Sequence, residues 1–127
     1  MRIPANQRAW LEESGLVDDN VDLEAVRLNV GGLWTRYLRL QRMGAITHGD
    51  SIWYRNEEKR ADLDLLVHEL VHVGQYRELG RLGFLRRYVV ALIRARGYNR
   101  DLPLEKPAYE RQKAARELLR ERPLEDG

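Results

Sequence analysis

The sequence predicts a single α+β domain over residues 1–127, in which a short, mostly antiparallel sheet packs on a central helix and on further helices. Two patterns indicate this fold class. Apolar residues recur at helical spacing in several stretches, and other short stretches alternate apolar with polar residues or are β-prone. The chain has 127 residues, of which 43% are hydrophobic, so it is long enough to bury one modest core.

The first part of the chain is predicted to alternate helices with a strand. Residues 6–14 form a short helix that Gly15 closes. Residues 26–30 alternate apolar and polar side chains, which is typical of a strand with one buried face. A second helix runs from Leu33 to Met43, because its apolar residues recur every three or four positions.

The next stretch carries a hairpin signal. Gly49-Asp50 separates two β-prone runs, and if this pair forms the turn, His48 lies opposite Ser51. One strand of the hairpin would then be an edge, and such an edge can hold an extended peptide by main-chain pairing. We expect His48 to be a surface residue of the hairpin, and residues 56–60 to form a charged loop.

The second half of the chain is predicted to be helical. The central helix runs from about Asp62 to about Leu79 and contains no proline. An amphipathic helix follows a glycine-rich turn, and a last helix runs from about Leu104 to Arg122. Pro107 falls in the first turn of this last helix, where proline is tolerated.

Composition limits the classes of function. Charged residues make up 33% of the chain, but the net charge is only +2, so the chain as a whole is not a polyelectrolyte. Much of the positive charge lies in an arginine-rich stretch at 77–100, which is either a solvated helix face or a patch for an acidic or nucleic-acid partner. There is no cysteine, which excludes a disulfide framework and a thiolate metal site.

The sequence contains no targeting or membrane signal that we recognise. Its first residues lack an apolar signal core, and the longest apolar run, 88–93, is too short to span a bilayer. We therefore predict a cytoplasmic protein with no membrane span, unless a dedicated system exports it.

The central helix contains His68-Glu69-Leu70-Val71-His72, an HExxH motif. On a helix, His68 and His72 are about one turn apart, so both imidazoles leave the same face and can hold one metal ion. Zinc takes imidazole nitrogen readily. Glu69 lies about 100° round the helix from His68, where it can act as general base on a metal-bound water without being a ligand. The alternative is a pair of histidines satisfied in a core.

A catalytic zinc site takes a third protein ligand and keeps a position open for water. The acidic candidates downstream of the motif are Glu78, Asp101, Glu105 and Glu110. On a continuous helix, Glu78 points about 120° away from His72, which disfavours it as a ligand. Spacing alone does not choose among the other three.

The stretch 104–109 contains Glu-x-x-Ala, which is similar to the ligand helix of integral-membrane prenyl-protein endopeptidases. With the hairpin and the HExxH motif, it resembles gluzincin-type zinc metallopeptidases, and in particular small bacterial minigluzincin-like domains of unknown function. The resemblance covers about residues 45–112. Some of these small domains accompany toxins or contractile injection machines.

The resemblance implies a zincin-like fold, a bound Zn²⁺ and cleavage of a peptide or protein substrate. In this reading His68, His72 and Glu105 hold the metal, and Glu69 is the general base. The resemblance also implies that Tyr109 donates to the oxyanion, for which ordinary core packing is the alternative.

We therefore predict an enzyme, a zinc-dependent hydrolase of peptide bonds. The alternative is a zinc-stabilised, non-catalytic binding module, or an effector- or toxin-associated domain that docks a partner. A structure discriminates between them, because a catalytic site keeps an open position over Glu69 whereas a fourth protein ligand closes a structural site.

Overall fold

The computed structural model describes residues 1–40 and 43–125. Within them the chain forms five helices and three strands, in the order α1 (Ala5–Ser14), β1 (Arg27–Val30), α2 (Leu33–Leu40), β2 (Ala45–His48), β3 (Ser51–Tyr54), α3 (Glu57–Arg60), α4 (Leu63–Ala95) and α5 (Lys106–Glu121). The predicted α+β class is confirmed.

The three strands form one mixed sheet in the order β1-β3-β2. β2 and β3 are antiparallel, and His48 lies opposite Ser51, so the predicted hairpin register is confirmed. β1 pairs with β3 in parallel, with Leu28 opposite Ile52. The sheet therefore contains one antiparallel and one parallel pair, whereas the sequence predicted mostly antiparallel pairing.

The two edges of the sheet have different surroundings. At the β1 edge, the carbonyl of Met1 accepts a hydrogen bond from the Leu28 N–H at 2.7 Å, and the Met1 amino group donates to the Leu28 carbonyl at 2.8 Å. The N-terminus thus covers this edge, as proteins commonly do with exposed strands. The outer edge of β2 instead borders a cleft.

Helix α4 has two halves that meet at Gly80, whose φ of 74° and ψ of 168° are not helical. Only glycine adopts this backbone conformation readily, because a Cβ would be strained there. We call residues 63–79 the proximal half and residues 81–95 the distal half. The predicted glycine break between two helices corresponds to this kink, and the helix ends where Arg96 turns left-handed at φ 57°.

The proximal half of α4 packs against the sheet and fixes the position of the HExxH motif. Its apolar residues join one core with α1, the strands and α5; the largest fully buried members are Leu11, Val26, Leu28, Ile52, Tyr54, Leu66, Val67, Leu70 and Val73. The loop before β1 also approaches the helix closely at Gly74, whose carbonyl accepts a hydrogen bond from Asn20 at 3.1 Å.

Two predicted boundaries differ in detail. The charged loop expected at 56–60 contains the single-turn helix α3, because the Asn56 side chain accepts a hydrogen bond from the Lys59 N–H at 2.8 Å and caps it. The predicted end of α2 includes residues 41 and 42, which lie outside the described residues, as does the side chain of Trp34. The last helix begins at Lys106, where a start at about Leu104 was predicted, and Pro107 lies in its first turn as predicted.

Candidate metal centre

The proximal half of α4 carries both motif histidines. The rings of His68 and His72 lie 5.1 Å apart, and both side chains are buried. The one-turn spacing predicted from the sequence therefore places the two imidazoles side by side, on a part of the helix that faces α5.

The chain returns beside these histidines at Glu105, the residue that precedes α5. Glu105 Oε1 lies 2.7 Å from His72 Nε2 and 3.4 Å from His68 Nε2, and the carboxylate is buried. The ligand atoms of the three residues all lie within 4.8 Å of one another, so the group can hold a metal ion. Of the acidic candidates weighed above, the structure brings Glu105 to the histidines, whereas Glu78 is exposed.

Two glutamines fix the tautomers of these histidines. The Gln75 amide nitrogen donates to the Leu104 carbonyl at 2.9 Å, so its oxygen faces His72 Nδ1, also at 2.9 Å. Since a carbonyl oxygen only accepts, His72 Nδ1 carries the proton and Nε2 points at Glu105. Gln75 thus ties the histidine to the loop that leads into Glu105.

Gln112 does the same for His68. Its amide nitrogen donates to the Asp64 carboxylate at 3.2 Å, and its oxygen lies 2.9 Å from His68 Nδ1. Arg116 donates to the same carboxylate at 3.1 Å, so the chain of contacts from α5 continues to a charged pair. Metal-binding histidines usually have such partners on the second ring nitrogen, and the partners raise affinity by holding the ring in place.

Glu105 is held by a tyrosine as well as by the histidines. The Tyr88 hydroxyl, from the distal half of α4, donates to Glu105 Oε2 at 3.0 Å. Burial, and then the charge of Glu105, raise the pKa of Tyr88 well above its usual range, so the hydroxyl stays a donor. One carboxylate oxygen is therefore occupied by Tyr88, and the other faces the imidazoles.

The charges of this group are strongly coupled. Burial alone would lower the pKa of His72, but the hydrogen bond that it donates to Glu105 and the charges of Glu69 and Glu105 raise it to about 9. Burial alone would raise the pKa of Glu105, but hydrogen bonds from His68 and His72 hold it well below its ordinary value. Without a metal, His72 and Glu105 form a buried ion pair at neutral pH.

Glu69 lies beside this group without belonging to it. The residue is only 3% exposed, and its Oε2 is 3.7 Å from His68 Nε2. The Thr47 hydroxyl, on β2, donates to the other oxygen, Oε1, at 2.9 Å. One oxygen of Glu69 is thus oriented by the sheet, while the other faces the space beside the histidines.

Tyr109 lies against the site through its ring. The ring centroid is 4.5 Å from that of His68 in an edge-to-face arrangement, and its hydroxyl is hydrogen-bonded to that of Tyr98. The Arg100 guanidinium lies over the Tyr109 ring, 4.9 Å from its centroid. Burial, and then the bond to Tyr109, raise the pKa of Tyr98. Tyr109 therefore lies at the rim of the site. There its ring packs on His68, and its side chain could also contact a substrate in the cleft.

The cleft at this site is lined by the ligand group together with Thr47, Glu69, Tyr88 and Tyr109. Its volume is about 710 Å³, large enough for several residues of an extended peptide. One wall is the β2 edge. Another wall is aromatic: the Phe84 ring stacks on Tyr76 at 3.9 Å and lies 5.8 Å from Tyr88. Phe84 also meets the His72 ring edge-to-face at 5.9 Å. The cleft thus combines the group of His68, His72 and Glu105 with a strand edge and an aromatic wall.

The remaining residues singled out from the sequence do not belong to the group of His68, His72 and Glu105. His48 is exposed at the end of β2 and meets the Tyr76 ring at 5.6 Å, in agreement with the prediction of a surface residue. Of the arginine-rich stretch, Arg77 forms an ion pair with Asp50 at 3.1 Å, and Arg100 lies at the cleft rim.

Sequence reasoning missed the residues that orient the site: Thr47, Gln75, Tyr88 and Gln112. Gln75 follows His72 by three residues on one helix, so the i, i+3 rule offered a signal for it. Gln112 is 44 residues from His68, and no local pattern connects the two.

The fold and the site define an α+β protein with a buried group that can hold a metal ion. Residues 3–80 match the family model of the eCIS core domain, where eCIS denotes the extracellular contractile injection system. Since this is more than half of the chain, the chain belongs to the eCIS core domain family. The matched region contains the HExxH motif and ends at the α4 kink, before Glu105.

No zincin or metallopeptidase family was found, so the resemblance to gluzincins stays a prediction. No curated protein and no solved structure matches the chain. Among the described residues, no helix is long and apolar enough to cross a membrane.

Proposed function

We propose that this protein is a metal-dependent module that works with other proteins of an extracellular contractile injection system. Two observations support the proposal: the family of the chain, and the buried group of His68, His72 and Glu105. The donor set fits a divalent cation. Both Nε2 atoms face Glu105 Oε1, and both Nδ1 atoms are already occupied by glutamine oxygens.

Zinc is the cation that this donor set suits best. Two imidazole nitrogens and a carboxylate oxygen are the ligands of many catalytic zinc sites, which keep one position open, whereas structural zinc sites are closed by a fourth protein ligand. Within residues 1–40 and 43–125, no fourth histidine, aspartate or glutamate joins the group. A group of three protein ligands favours a site with one position open for water over a closed structural site.

The chemistry that the geometry supports best is hydrolysis of a peptide bond. The observation that carries this conclusion is Glu69, a buried carboxylate beside the ligand group but outside it. A bound zinc ion would polarise the scissile carbonyl and lower the pKa of water. Glu69 would then take a proton from the attacking water at Oε2 and pass it to the leaving amine, while Thr47 holds Oε1.

The cleft offers a place for the substrate. An extended peptide can pair its main chain with the outer edge of β2 while its side chains reach the aromatic wall. Tyr109 lies beside His68 and would donate to the carbonyl oxygen after its hydroxyl leaves Tyr98.

A peptide digest tests this function. The protein is loaded with zinc and incubated with a peptide library made from a whole proteome, and a second sample is treated with a chelator. We expect new peptide termini in the zinc-loaded sample alone. Absence of cleavage by protein shown to hold zinc would overturn the catalytic proposal.

A second candidate is a zinc-stabilised, non-catalytic module of an effector that docks a partner. The comparisons support it more directly than catalysis, because the family found is that of the injection system and no metallopeptidase family was found. Here the metal would join α4 to the start of α5. Metal removal would lower the thermal stability of the protein, and the zinc-loaded protein would cleave no peptide.

A further inference from the structure

The distal half of α4 has two unlike faces. Its inner face covers the cleft with Phe84, Tyr88 and Leu92. Outside the cleft it carries five aliphatic residues that are far more exposed than core residues: Leu82 is 84% exposed, Leu85 45%, Val89 49%, Val90 39% and Ile93 71%. Leu85 also reaches the cleft, but the other four are not among the residues that line it.

Four of them, Leu82, Leu85, Val89 and Ile93, form a narrow stripe, and Arg86 separates Val90 from it on the helical wheel. They are spaced by three, four and four residues, so at about 100° per residue they fall within an arc of about 80°. A stripe of this width is typical of a helix that packs along one other helix, whereas helices that bury a broad face have a wider apolar arc.

Arginines flank the stripe on both sides. On the helical wheel, Arg86 lies just beyond Ile93, and Arg81 lies beyond Leu85 on the other side. Arg94 and Arg87 lie further round the helix on the same side, beyond Val90. In the part of the chain that the structure describes, none of these four arginines forms an ion pair, whereas Arg77 pairs with Asp50. The surface therefore combines an apolar seam with guanidinium groups that are free to bind carboxylates.

We infer that this face, made of Leu82, Leu85, Val89 and Ile93 with their flanking arginines, docks an acidic amphipathic helix of a partner protein. Aliphatic side chains of the partner would fill the seam, and its glutamates or aspartates would pair with the guanidinium groups. The inference does not depend on the metal centre, because the residues of the stripe are not those that hold the ligand group. On the helical wheel the stripe is centred about 100° from Tyr88, which holds Glu105.

Three other occupants fit the surface less well. A second copy of this chain would bring two arginine-rich faces together, and like charges in close contact repel. A membrane surface suits a broad apolar face with aromatic residues, whereas this stripe is narrow and wholly aliphatic. A nucleic acid would use the arginines but leave the seam exposed.

The test uses a labelled synthetic helix with leucines at heptad positions a and d and glutamates beside them, and a twin in which lysines replace the glutamates. Binding to the whole protein is followed by fluorescence anisotropy, with and without a chelator. We expect binding of the glutamate peptide alone, and weaker binding as salt is raised. Replacing both ends of the stripe, Leu82→Ser with Ile93→Ser, should weaken binding about tenfold or more.

Charge reversal provides the sharpest check. Arg86→Glu with Arg94→Glu should lose the glutamate peptide and gain the lysine peptide. Arg120→Glu, an exposed charge reversal on α5, and Leu33→Ser, an exposed apolar residue on α2, are the matched controls and should change nothing.

Four results would overturn the inference: equal binding of both peptides, binding of neither, binding to phosphatidylglycerol vesicles in place of the peptide, or a dimer that the stripe substitutions dissociate. Since the assay needs no metal and no cleavage, its failure is distinguishable from failure of the proposed hydrolase.

Discussion

The Gln75 side chain joins His72 to the Leu104 carbonyl, at 2.9 Å on each side. One amide thus fixes the tautomer of a candidate ligand and the position of the loop that delivers Glu105. Replacing Gln75 by Ala removes both contacts, and we expect the affinity for zinc to fall about 10- to 100-fold.

This prediction is measured by competition with a chromophoric chelator at fixed pH. Glu78→Ala, three residues further along the same helix and exposed, is the control and should bind zinc like the natural sequence. If Gln75→Ala bound zinc with unchanged affinity, Gln75 would have no part in orienting the ligand.

The assignment of Glu105 as the third ligand leads to a second prediction. Glu105→Ala should lose most of its zinc affinity, because a carboxylate 2.7 Å from His72 Nε2 is removed from a group of three. Metal analysis after dialysis compares it with Glu78→Ala. The assignment fails if the Glu78 variant loses the metal and the Glu105 variant keeps it.

Metal binding should release protons. His72, with a pKa of about 9, carries a proton on Nε2 at neutral pH, and a metal can bind this nitrogen only after the proton leaves. Calorimetric titration in two buffers of different ionisation enthalpy should show about one proton released near pH 7. Zinc affinity should therefore fall as the pH is lowered. Equal heats in the two buffers would contradict this account.

The pair of His72 and Glu105 should also give the metal-free protein a characteristic dependence of stability on pH. The raised pKa of His72 adds stability that is fully present below its ordinary value of 6.5 and is lost as the pH rises through about 9. The lowered pKa of Glu105 adds stability that is present above its ordinary value of 4.5 and is lost at lower pH. The contribution of the pair to stability is thus greatest between pH 4.5 and 6.5. Denaturation at a series of pH values measures it, and the free energy of unfolding of Glu105→Gln should lack this maximum.

The α4 kink offers a prediction on stability. Gly80→Ala should lower the free energy of unfolding by about 1–3 kcal/mol, because its backbone conformation is open almost only to glycine. A Cβ there meets no atom within 4 Å, so the cost is conformational alone. Gly83→Ala is the opposite case: its φ is not positive, and alanine should be neutral or stabilise by up to about 1 kcal/mol. Urea denaturation compares the two, and equal effects would refute the explanation.

The sequence predicted the parts of the structure that depend on local spacing. His68 and His72 share a face because they are one helical turn apart, and Gly49-Asp50 sets the hairpin register because the turn is only two residues long. The prediction of Glu105 as the third ligand did not follow from spacing, because spacing is compatible with several acidic residues. That choice came from the resemblance to a family.

What the sequence did not predict depends on contacts between distant segments. The parallel pairing of β1 with β3 joins Leu28 to Ile52 across a helix and a further strand, and an alternating pattern does not specify a partner. The contact of Gln112 with His68 also spans two helices. In the sequence, Gln112 cannot be distinguished from an ordinary surface glutamine on a helix. Only the fold shows that it lies beside an imidazole.

The central claim, a metal site with Glu69 as its base, is tested most directly by Glu69→Gln. Metal content and peptide cleavage are measured on the same preparation, beside Glu78→Gln as the control. The account predicts that zinc stays bound while cleavage falls by about two to four orders of magnitude, because the amide has similar size but cannot take the proton. Loss of the metal would make Glu69 a ligand, and unchanged cleavage would show that another group is the base; either result contradicts the account.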